Sequence, residues 1–514
     1  MQARLICVLG LVAFIALAWL ISSDRRRFPV RVVLGGLFLQ VTLGVLVLRT
    51  EAGRWVFEKI GDVFTVVMNT VTEGSGFLFG AGGEDPLGDS LLGTFAFGVL
   101  PTVIFFSSLM SILYYLGLMQ RLVWGMAWVM RFTLGTSGAE TLSAAANVFV
   151  GHTEAPLVVR PYLSKMTRSE LCAMMTGGFA TVTGGLLGVY AGMGIDISHL
   201  LTASVISAPA ALLIAKVMVP EVEPDKVSAE MKLSAPSEHV NLIAAAVEGA
   251  SDGLKLAMNV GAMLIAFLAL LALVDVILGF ASVQVGFVDA AGDPRLSLGM
   301  VLGYLCWPLA WLMGIPAAEC LEAGRLIGLK TVANEFIAYD ALGKSEVGAG
   351  KAISERTAVV MTYALAGFSN FGAIGIQVGG IGGLEPSRKK DLAQLGLRAM
   401  FGGLLACCMT GAIAGLLLED STAPAVRADQ LLTKDTTREM TGSVDAVNAA
   451  ISVTVGGQTL TATKDQNDKG ALADGDLAAL SEGVSNVVVS ATDGSVLSAD
   501  GAENVAWMLR RQSG

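Results

Sequence analysis

Apolar stretches long enough to cross a lipid bilayer recur through this chain of 514 residues. A helix needs about 20 residues to span a hydrocarbon core of about 30 Å. Eight stretches are predicted to be transmembrane helices: Leu5–Ser22, Val30–Leu48, Leu91–Met119, Leu171–Met193, Leu200–Val219, Leu254–Phe280, Thr357–Gly379 and Leu395–Leu418. Because 54% of the residues are hydrophobic and only 15% are charged, we expect an all-α polytopic membrane protein and exclude a secreted or cytosolic enzyme.

Neither the cysteines nor the net charge indicates a cofactor or a nucleic-acid partner. All six cysteines lie in or beside apolar segments, where a thiol behaves as a small hydrophobe, so no disulfide framework, zinc site or other cofactor is predicted. The formal net charge is −10, and the segment 419–514 holds 14 acidic and 7 basic residues. Nucleic-acid binding is disfavoured because phosphate recognition needs basic surfaces.

The positions of the basic residues predict the orientation in the inner membrane. Alternate connections between the spans carry Arg25–Arg27, then Arg121 and Arg131, then Lys216, Lys226 and Lys232, then Arg388–Lys390. By the positive-inside rule these connections are cytoplasmic, so both termini are predicted to be extracytoplasmic. Arg49, Arg54 and Lys59 are an exception, which we interpret as part of an interfacial helix covering roughly residues 51–78.

The chain is predicted to contain seven consecutive segments. They are two scaffold helices at 1–50, the interfacial helix at 51–90, a scaffold helix at 91–134, a first hairpin with the spans that follow it at 135–220, a cytoplasmic loop, scaffold helix and external helix at 221–314, a second hairpin with the spans that follow it at 315–418, and an acidic tail at 419–514. In the tail, Ile451–Val455 and Val487–Val489 predict two or three strands, and Glu503–Arg511 predicts a helix. A small α+β module and a partly disordered tail both remain open.

Two intervals are apolar enough to enter the bilayer but are interrupted by glycine, proline and acidic residues. The first, Gly138–Tyr162, contains His152 and Glu154, and the second, Ile315–Tyr339, contains Glu335. Ionisable groups at membrane depth cost about 2.5–3.5 kcal/mol each on insertion scales, so their presence indicates a function. Both intervals are predicted to be re-entrant hairpins, and a span interrupted by Gly, Ser, Thr or Asn follows each. Matched, broken segments in two halves indicate the inverted repeats of a secondary transporter.

Three motifs in these segments resemble those of the concentrative nucleoside transporter family. They are the run Glu140–Tyr162, the Asn-Glu-Phe triplet Asn334–Phe336 and the turn Phe368–Ile374, and the resemblance covers about residues 25–418. It implies a homotrimer in the lipid bilayer, in which each subunit imports nucleosides with a cation gradient by an elevator movement. Because the resemblance ends near Leu418, the tail is predicted to be dispensable for transport.

The resemblance also implies a substrate site and a sodium site. The nucleobase would contact His152, Thr153, Glu154 and Leu186, the ribose would contact Glu335, Asn370 and Ala373, and Phe368 would also line the substrate site. Sodium would be held by the side chains of Asn147 and Thr181 and the carbonyls of Val150 and Val182. An all-oxygen set of this kind suits a hard cation.

Two departures from the family pattern bear on specificity and leave alternatives open. His152 replaces a glutamine, and Ala373 follows Gly372 where two serines are usual. A relative that carries a nucleobase or a modified nucleoside therefore remains an alternative, as does proton coupling, and the choice between purine and pyrimidine is open. We expect Glu140 and Glu322 to be structural, either capping helix ends or pairing with Arg131, Arg325 or Arg356.

An intramembrane enzyme and a channel are less consistent with the sequence. The chain has no Gly-x-Ser-x-Gly or His-Glu-x-x-His motif, so no nucleophile with a base is predicted. Two matched halves that each carry a carboxylate favour alternating access over a continuous pore.

Overall fold

The computed structural model divides the chain into two units, Met1–Asp420 and Ser421–Gly514. The structure describes residues 2–79, 94–152, 154–223, 225, 240–288, 296–346, 353–418, 451–455, 458–462, 486–490 and 496–500. In this part of the chain, the first unit is helical and the second consists of strands. The all-α membrane fold predicted for the first unit is confirmed.

The helices of the first unit are numbered in chain order. They are α1 (Gln2–Leu20), α2 (Val30–Arg49), α3 (Glu51–Phe79), α4 (Leu100–Tyr115), α5 (Leu118–Leu134), α6 (Gly138–Ala146), α7 (Ala155–Val158), α8 (Arg168–Ala180), α9 (Gly184–Gly192), α10 (Ile197–Met218), α11 (Leu242–Gln284), α12 (Leu298–Leu312), α13 (Cys320–Val332), α14 (Glu335–Glu346), α15 (Glu355–Leu365), α16 (Phe371–Leu384) and α17 (Lys389–Leu417). A π-helical turn, Phe95–Val99, precedes α4, and short 3₁₀ turns occupy Arg160–Tyr162 and Pro386–Arg388.

Six helical segments of the described chain are long and apolar enough to cross a membrane. They lie at Ala3–Leu20, Val30–Arg49, Ala96–Tyr115, Ile197–Met218, Leu242–Gln284 and Pro386–Leu417, and they coincide with six of the eight predicted spans. The other two predicted spans are each divided into two helices. Leu171–Met193 forms α8 and α9 around a break at 181–183, and Thr357–Gly379 forms α15 and α16 around a break at 366–370.

The predicted scaffold segment 91–134 contains two long helices rather than one. Helix α4 ends at Tyr115, and Gly117 then adopts a φ of 74°, in the left-handed region that ends a helix. Helix α5 begins immediately afterwards at Leu118. The prediction of a single span to Met119 is therefore wrong at its C-terminal end, and residues 91–93 lie outside the described residues. By contrast, α3 occupies the range predicted for the interfacial helix.

Both predicted hairpins consist of two helices joined by a short turn. In the first, α6 and α7 are separated by residues 147–154, and in the second α13 and α14 are separated by residues 333–334. A broken helix and then a continuous helix follow each hairpin, α8–α9 and α10 in the first half and α15–α16 and α17 in the second. The two halves therefore have the same order of elements, as the predicted repeats require.

The two broken helices approach each other at the centre of the first unit. A Cβ added at Gly367 would lie 2.7 Å from the carbonyl oxygen of Phe179, so only glycine permits this approach. The Cys407 thiol of α17 contacts the carbonyl oxygens of Ala180 at 3.6 Å and Ala366 at 3.5 Å. Helices α10 and α17 are largely buried around this crossing. The breaks thus lie inside the protein.

Charged residues from several predicted cytoplasmic connections meet at one end of the first unit. Arg27 donates to the carbonyl of Glu221 at 3.5 Å, and Arg168 forms an ion pair with Asp391 at 3.4 Å. Lys216 donates to the hydroxyl of Ser169 at 3.0 Å, which connects the ends of α10 and α8. These residues share one end, as the orientation rule requires. Lys226 and Lys232 lie outside the described residues.

The described part of the second unit is a four-stranded antiparallel sheet. Its strands are β1 (Ile451–Val455), β2 (Gln458–Ala462), β3 (Asn486–Ser490) and β4 (Val496–Asp500), in the order β2-β1-β3-β4. Both predicted strands are present within this sheet. The predicted helix at 503–511 lies outside the described residues.

A buried ion pair fixes the base of the first hairpin. Lys216 Nζ lies 2.7 Å from Glu140 Oε2, and the two side chains are 7% and 1% exposed. Glu140 also caps α6 through a reciprocal capping box with Ser137. The predicted capping role is confirmed, but the partner is Lys216 rather than an arginine. Glu322 forms an ion pair with Arg325, one of the three arginines considered, but the two residues lie one turn apart on α13 rather than across the fold.

Replacing Lys216 with methionine is expected to lower the thermal unfolding midpoint strongly. The buried Glu140 carboxylate loses its counter-charge, a change that costs about 3–5 kcal/mol. Lys255→Met is the matched control, because its pair with Asp252 at 2.9 Å is exposed and worth at most about 1 kcal/mol. Equal unfolding midpoints for the two variants in detergent would contradict a structural role for the buried pair.

Candidate functional site

The tip of the first hairpin is the first part of the candidate site. Helix α6 ends at Ala146, and the short helix α7 begins at Ala155, with Pro156 in its first turn. The Phe149 carbonyl accepts a hydrogen bond from the Gly184 amide at 2.9 Å. This bond attaches the hairpin tip to the first turn of α9, directly after the first helix break.

The predicted sodium ligands lie around this attachment point. Asn147 Nδ2 donates to the Ser143 carbonyl at 3.0 Å, while among the described residues Asn147 Oδ1 is buried with no hydrogen-bond partner. Thr181 Oγ1 donates to the Gly177 carbonyl at 3.0 Å, and a Cβ on Gly177 would lie 3.2 Å from Asn147 Nδ2. Both side chains therefore border Gly177.

The remaining ligands and the chemistry of the set fit a hard cation. Val150 and Val182 are buried, at the hairpin tip and in the break, and each offers a backbone carbonyl. A buried amide oxygen with no partner in the described protein is an unfilled acceptor, and sodium is a suitable occupant. The described residues contain no cluster of His, Cys, Asp and Glu that suits a transition metal.

The predicted nucleobase residues lie on the other side of the same tip. The His152 ring packs edge-on against Phe368 with centroids 4.8 Å apart, which joins the first hairpin to the second helix break. Within the described chain, neither ring nitrogen of His152 has a hydrogen-bond partner. Glu154 is exposed and accepts a long bond, 3.4 Å, from the Gly151 amide, and Leu186 is buried on α9. Thr153 lies outside the described residues.

The predicted ribose residues form a connected group at the second helix break. Asn370 Nδ2 donates to Glu335 Oε2 at 3.4 Å, and Asn370 Oδ1 caps α16 by accepting from the Ala373 amide at 2.8 Å. Glu335 is 1% exposed and Asn370 is 3% exposed. The structure thus brings Glu335, Asn370 and Ala373 together.

Three buried polar residues beside the candidate site were not predicted from the sequence. Tyr190 Oη donates to Glu335 Oε1 at 3.2 Å, Lys330 Nζ donates to the Ala364 carbonyl at 2.9 Å, and Gln377 Nε2 donates to the Met175 carbonyl at 3.3 Å. All three are fully buried. The sequence did contain a signal for them, because a lysine, a glutamine or a tyrosine within an apolar helix is uncommon unless its polar group is used.

The arrangement suits the binding of a polar solute rather than covalent catalysis. Among the described residues, no nucleophile forms a hydrogen bond with the His152 ring, and His199 Nδ1 shares a 3.0 Å hydrogen bond with Tyr363 Oη. Two carboxylates, an amide and an aromatic ring from two repeats instead surround the helix breaks. Sites of this type, at the breaks of paired half-helices, define a secondary transporter.

Comparisons with known proteins agree with this class. Models of the Na⁺ dependent nucleoside transporter N-terminus and C-terminus match residues 9–82 and 199–415, and a nucleoside recognition model matches residues 96–196. The chain belongs to the concentrative nucleoside transporter family. It is a multi-pass membrane transporter and not an enzyme.

Similar proteins span bacteria and mammals. An uncharacterized transporter of Haemophilus influenzae is 43% identical over 80% of this chain and 97% of its own length. Human solute carrier family 28 member 3 is 41% identical over 81% of this chain but 60% of its own length. Mouse sodium/nucleoside cotransporter 1 is 42% identical over 80% of this chain and 64% of its own length.

Solved structures of CNTnw share this fold. The inward-facing substrate-bound structure has a TM-score of 0.74 and 41% identity, and it matches 81% of this chain and 98% of CNTnw. A CNTnw variant in an outward-facing state matches the same shares with a TM-score of 0.75.

Replacing Gly178 with alanine is expected to displace the hairpin tip and lower stability. The added Cβ would lie 2.6 Å from His152 Cβ and 2.9 Å from Gln377 Nε2, and such overpacking costs about 1–3 kcal/mol. Gly375→Ala is the matched control because its Cβ would meet nothing within 4 Å, so no loss is expected there. A thermal unfolding comparison checks this, and equal midpoints would show that the tip is not held against α8.

Proposed function

We propose that this protein is a sodium-coupled symporter that imports nucleosides across the inner membrane. The observation that carries the proposal is the buried pair of Glu335 and Asn370, whose side chains lie 3.4 Å apart at the second helix break. A carboxylate and an amide together accept and donate hydrogen bonds, which is what vicinal ribose hydroxyls require. The family membership supports the same substrate class.

The two repeats supply different parts of the nucleoside site in this proposal. Glu335, Asn370 and the Ala373 position hold the ribose, while His152, Thr153 and Glu154 read the nucleobase. Leu186 and Phe368 provide apolar contacts, and the Phe368 ring also supports His152. A buried carboxylate that loses its hydroxyl partners is left unpaired, so analogues without ribose hydroxyls are strongly rejected.

Sodium is the proposed coupling ion. Asn147, Val150, Thr181 and Val182 offer oxygen ligands, and the unpartnered Asn147 oxygen in the described protein favours a bound cation. Proton coupling would need no such set of oxygens. The sodium/nucleoside cotransporter among the similar proteins supports this choice.

We further propose an elevator movement within a homotrimer, with both termini extracytoplasmic. The inward-facing and outward-facing structures of CNTnw support alternating access by this fold. The clustering of Arg27, Arg168 and Lys216 at one end supports a cytoplasmic position for that end. The exposed apolar residues of α11 are suited to contact with lipid or with a second copy.

A second candidate within the same class is a symporter with altered specificity. His152 and Ala373 change the donors and acceptors that face the solute, which favours a different base or a modified nucleoside. Uptake by the same reconstituted vesicles distinguishes the two, with labelled uridine and adenosine competing against unlabelled bases and dideoxynucleosides.

Saturable uptake of a labelled nucleoside is expected in proteoliposomes with an inward sodium gradient, and it should collapse when choline replaces sodium. Thr181→Ala should reduce sodium affinity about tenfold or more, because one oxygen ligand is lost, whereas Thr181→Ser should retain it. Uptake that persists in choline but is abolished by a protonophore would refute sodium coupling. If neither labelled uridine nor labelled adenosine is taken up, the proposed function is refuted.

Replacing His152 with glutamine is expected to shift base selectivity about tenfold towards uridine. The glutamine amide presents a donor and an acceptor side by side, whereas the imidazole cannot. Competition between uridine and adenosine for uptake measures the shift. His199→Gln is the control, because the His199 ring shares a hydrogen bond with Tyr363. The His199→Gln variant should have the base selectivity of the wild type. Unchanged selectivity in His152→Gln would make His152 a structural residue.

A further inference from the structure

Tyr190 forms a hydrogen bond between the two halves of the transporter. Its hydroxyl donates to Glu335 Oε1 at 3.2 Å, and neither side chain is more than 1% exposed. Tyr190 lies on α9 in the first half, whereas Glu335 begins α14 in the second hairpin. A residue of one repeat therefore orients the proposed ribose-binding carboxylate of the other.

The Glu335 carboxylate is held from both halves. Its second oxygen, Oε2, accepts from Asn370 Nδ2, and the side-chain oxygen of Asn370, Oδ1, accepts from the Ala373 amide. Asn370 is thus fixed by the start of α16. Of these two donors, Tyr190 is the one whose position depends on the first half.

The helix that carries Tyr190 begins at the proposed sodium site. Thr181 and Val182 lie in the break directly before α9, and the Gly184 amide is bonded to the hairpin tip through Phe149. Helix α9 is nine residues long and rises about 1.5 Å per residue, so it is a short rigid connection. The Tyr190 hydroxyl therefore lies on the helix that begins directly after the proposed sodium site.

We propose that Tyr190 is a positioning residue that couples sodium binding to ribose binding. Sodium at the first break orders α9, Tyr190 then holds Glu335 in the orientation that accepts the ribose hydroxyls, and the nucleoside binds more tightly. By thermodynamic linkage, the nucleoside strengthens sodium binding by the same factor. The inference rests on the proposed function, because it assumes a sodium ion and a ribose.

The chain offers a matched control in Tyr339. Its ring lies 4.8 Å from that of Tyr190, it is fully buried, and its hydroxyl donates to the Thr362 carbonyl at 2.9 Å. Tyr190→Phe and Tyr339→Phe each remove one buried hydroxyl from the same aromatic cluster. Only Tyr190→Phe removes a hydrogen bond to Glu335.

The test measures the affinity of the full-length protein in nanodiscs for labelled uridine and adenosine. Each dissociation constant is determined in sodium chloride and in choline chloride of equal concentration, and their ratio is the coupling factor. Tyr190→Phe is expected to reduce this factor about tenfold, because the free energy of one hydrogen bond to a charged group corresponds to a change of about that size in a dissociation constant. Tyr339→Phe should keep the wild-type factor. An unchanged factor in Tyr190→Phe, or equal losses in both variants, overturns the inference.

Failure of the inference and failure of the proposed function have different signatures. If sodium does not affect nucleoside binding by the wild type, sodium coupling is wrong and Tyr190 has nothing to transmit. If the wild type is coupled and Tyr190→Phe is equally coupled, only the role of Tyr190 is wrong.

A measurement on the wild type alone covers the case in which Tyr190→Phe does not assemble. Because the proposed coupling passes through Glu335, sodium should strengthen the binding of uridine about tenfold more than that of dideoxyuridine. Equal sodium effects on the two ligands overturn the inference.

Discussion

The structure depends on satisfying polar backbone groups where the helices are broken. Inside a bilayer an unpaired amide or carbonyl costs several kcal/mol, so irregular backbone persists only where protein groups replace the missing helical bonds. Here the Gly184 amide bonds to the hairpin tip, the Lys330 ammonium bonds to the Ala364 carbonyl near the end of α15, and the Cys407 thiol contacts carbonyls at both breaks. The candidate site lies beside these breaks, where polar groups that are not used to stabilise the backbone can bind a solute.

Buried charges follow the same requirement. Lys330 is fully buried, and its contact at the C-terminal end of α15 uses the partial negative charge of that helix end. Lys216 instead compensates Glu140 directly and so secures the base of the first hairpin. One buried lysine thus stabilises a helix end beside the proposed ribose residues, and the other stabilises the hairpin that carries the proposed base and cation residues.

The sequence predicted the fold well wherever glycine, proline and acidic residues interrupted an apolar run. Both hairpins and both broken helices were predicted on that basis, and the grouping of Glu335, Asn370 and Ala373 followed from a family motif. The break after Tyr115 was missed, because a single glycine within a long apolar segment does not reveal its φ. The Lys216 partner of Glu140 and the Tyr190 contact with Glu335 join residues distant in sequence, and no local pattern encodes such pairs.

Helix α11 has a mechanical consequence for the whole molecule. Its 43 residues extend about 65 Å at 1.5 Å per residue, about twice the thickness of the hydrocarbon core, so it must tilt or project into water. Near its start, Gly249 and Gly253 meet α4 so closely that an added Cβ would lie 2.6 Å from Ser111 and 2.7 Å from Ile104. The Ser108 hydroxyl also donates to the Ala246 carbonyl at 2.8 Å. Such close backbone contact leaves no room for larger side chains between the two helices, so a substitution at either glycine would force α11 and α4 apart over much of their length.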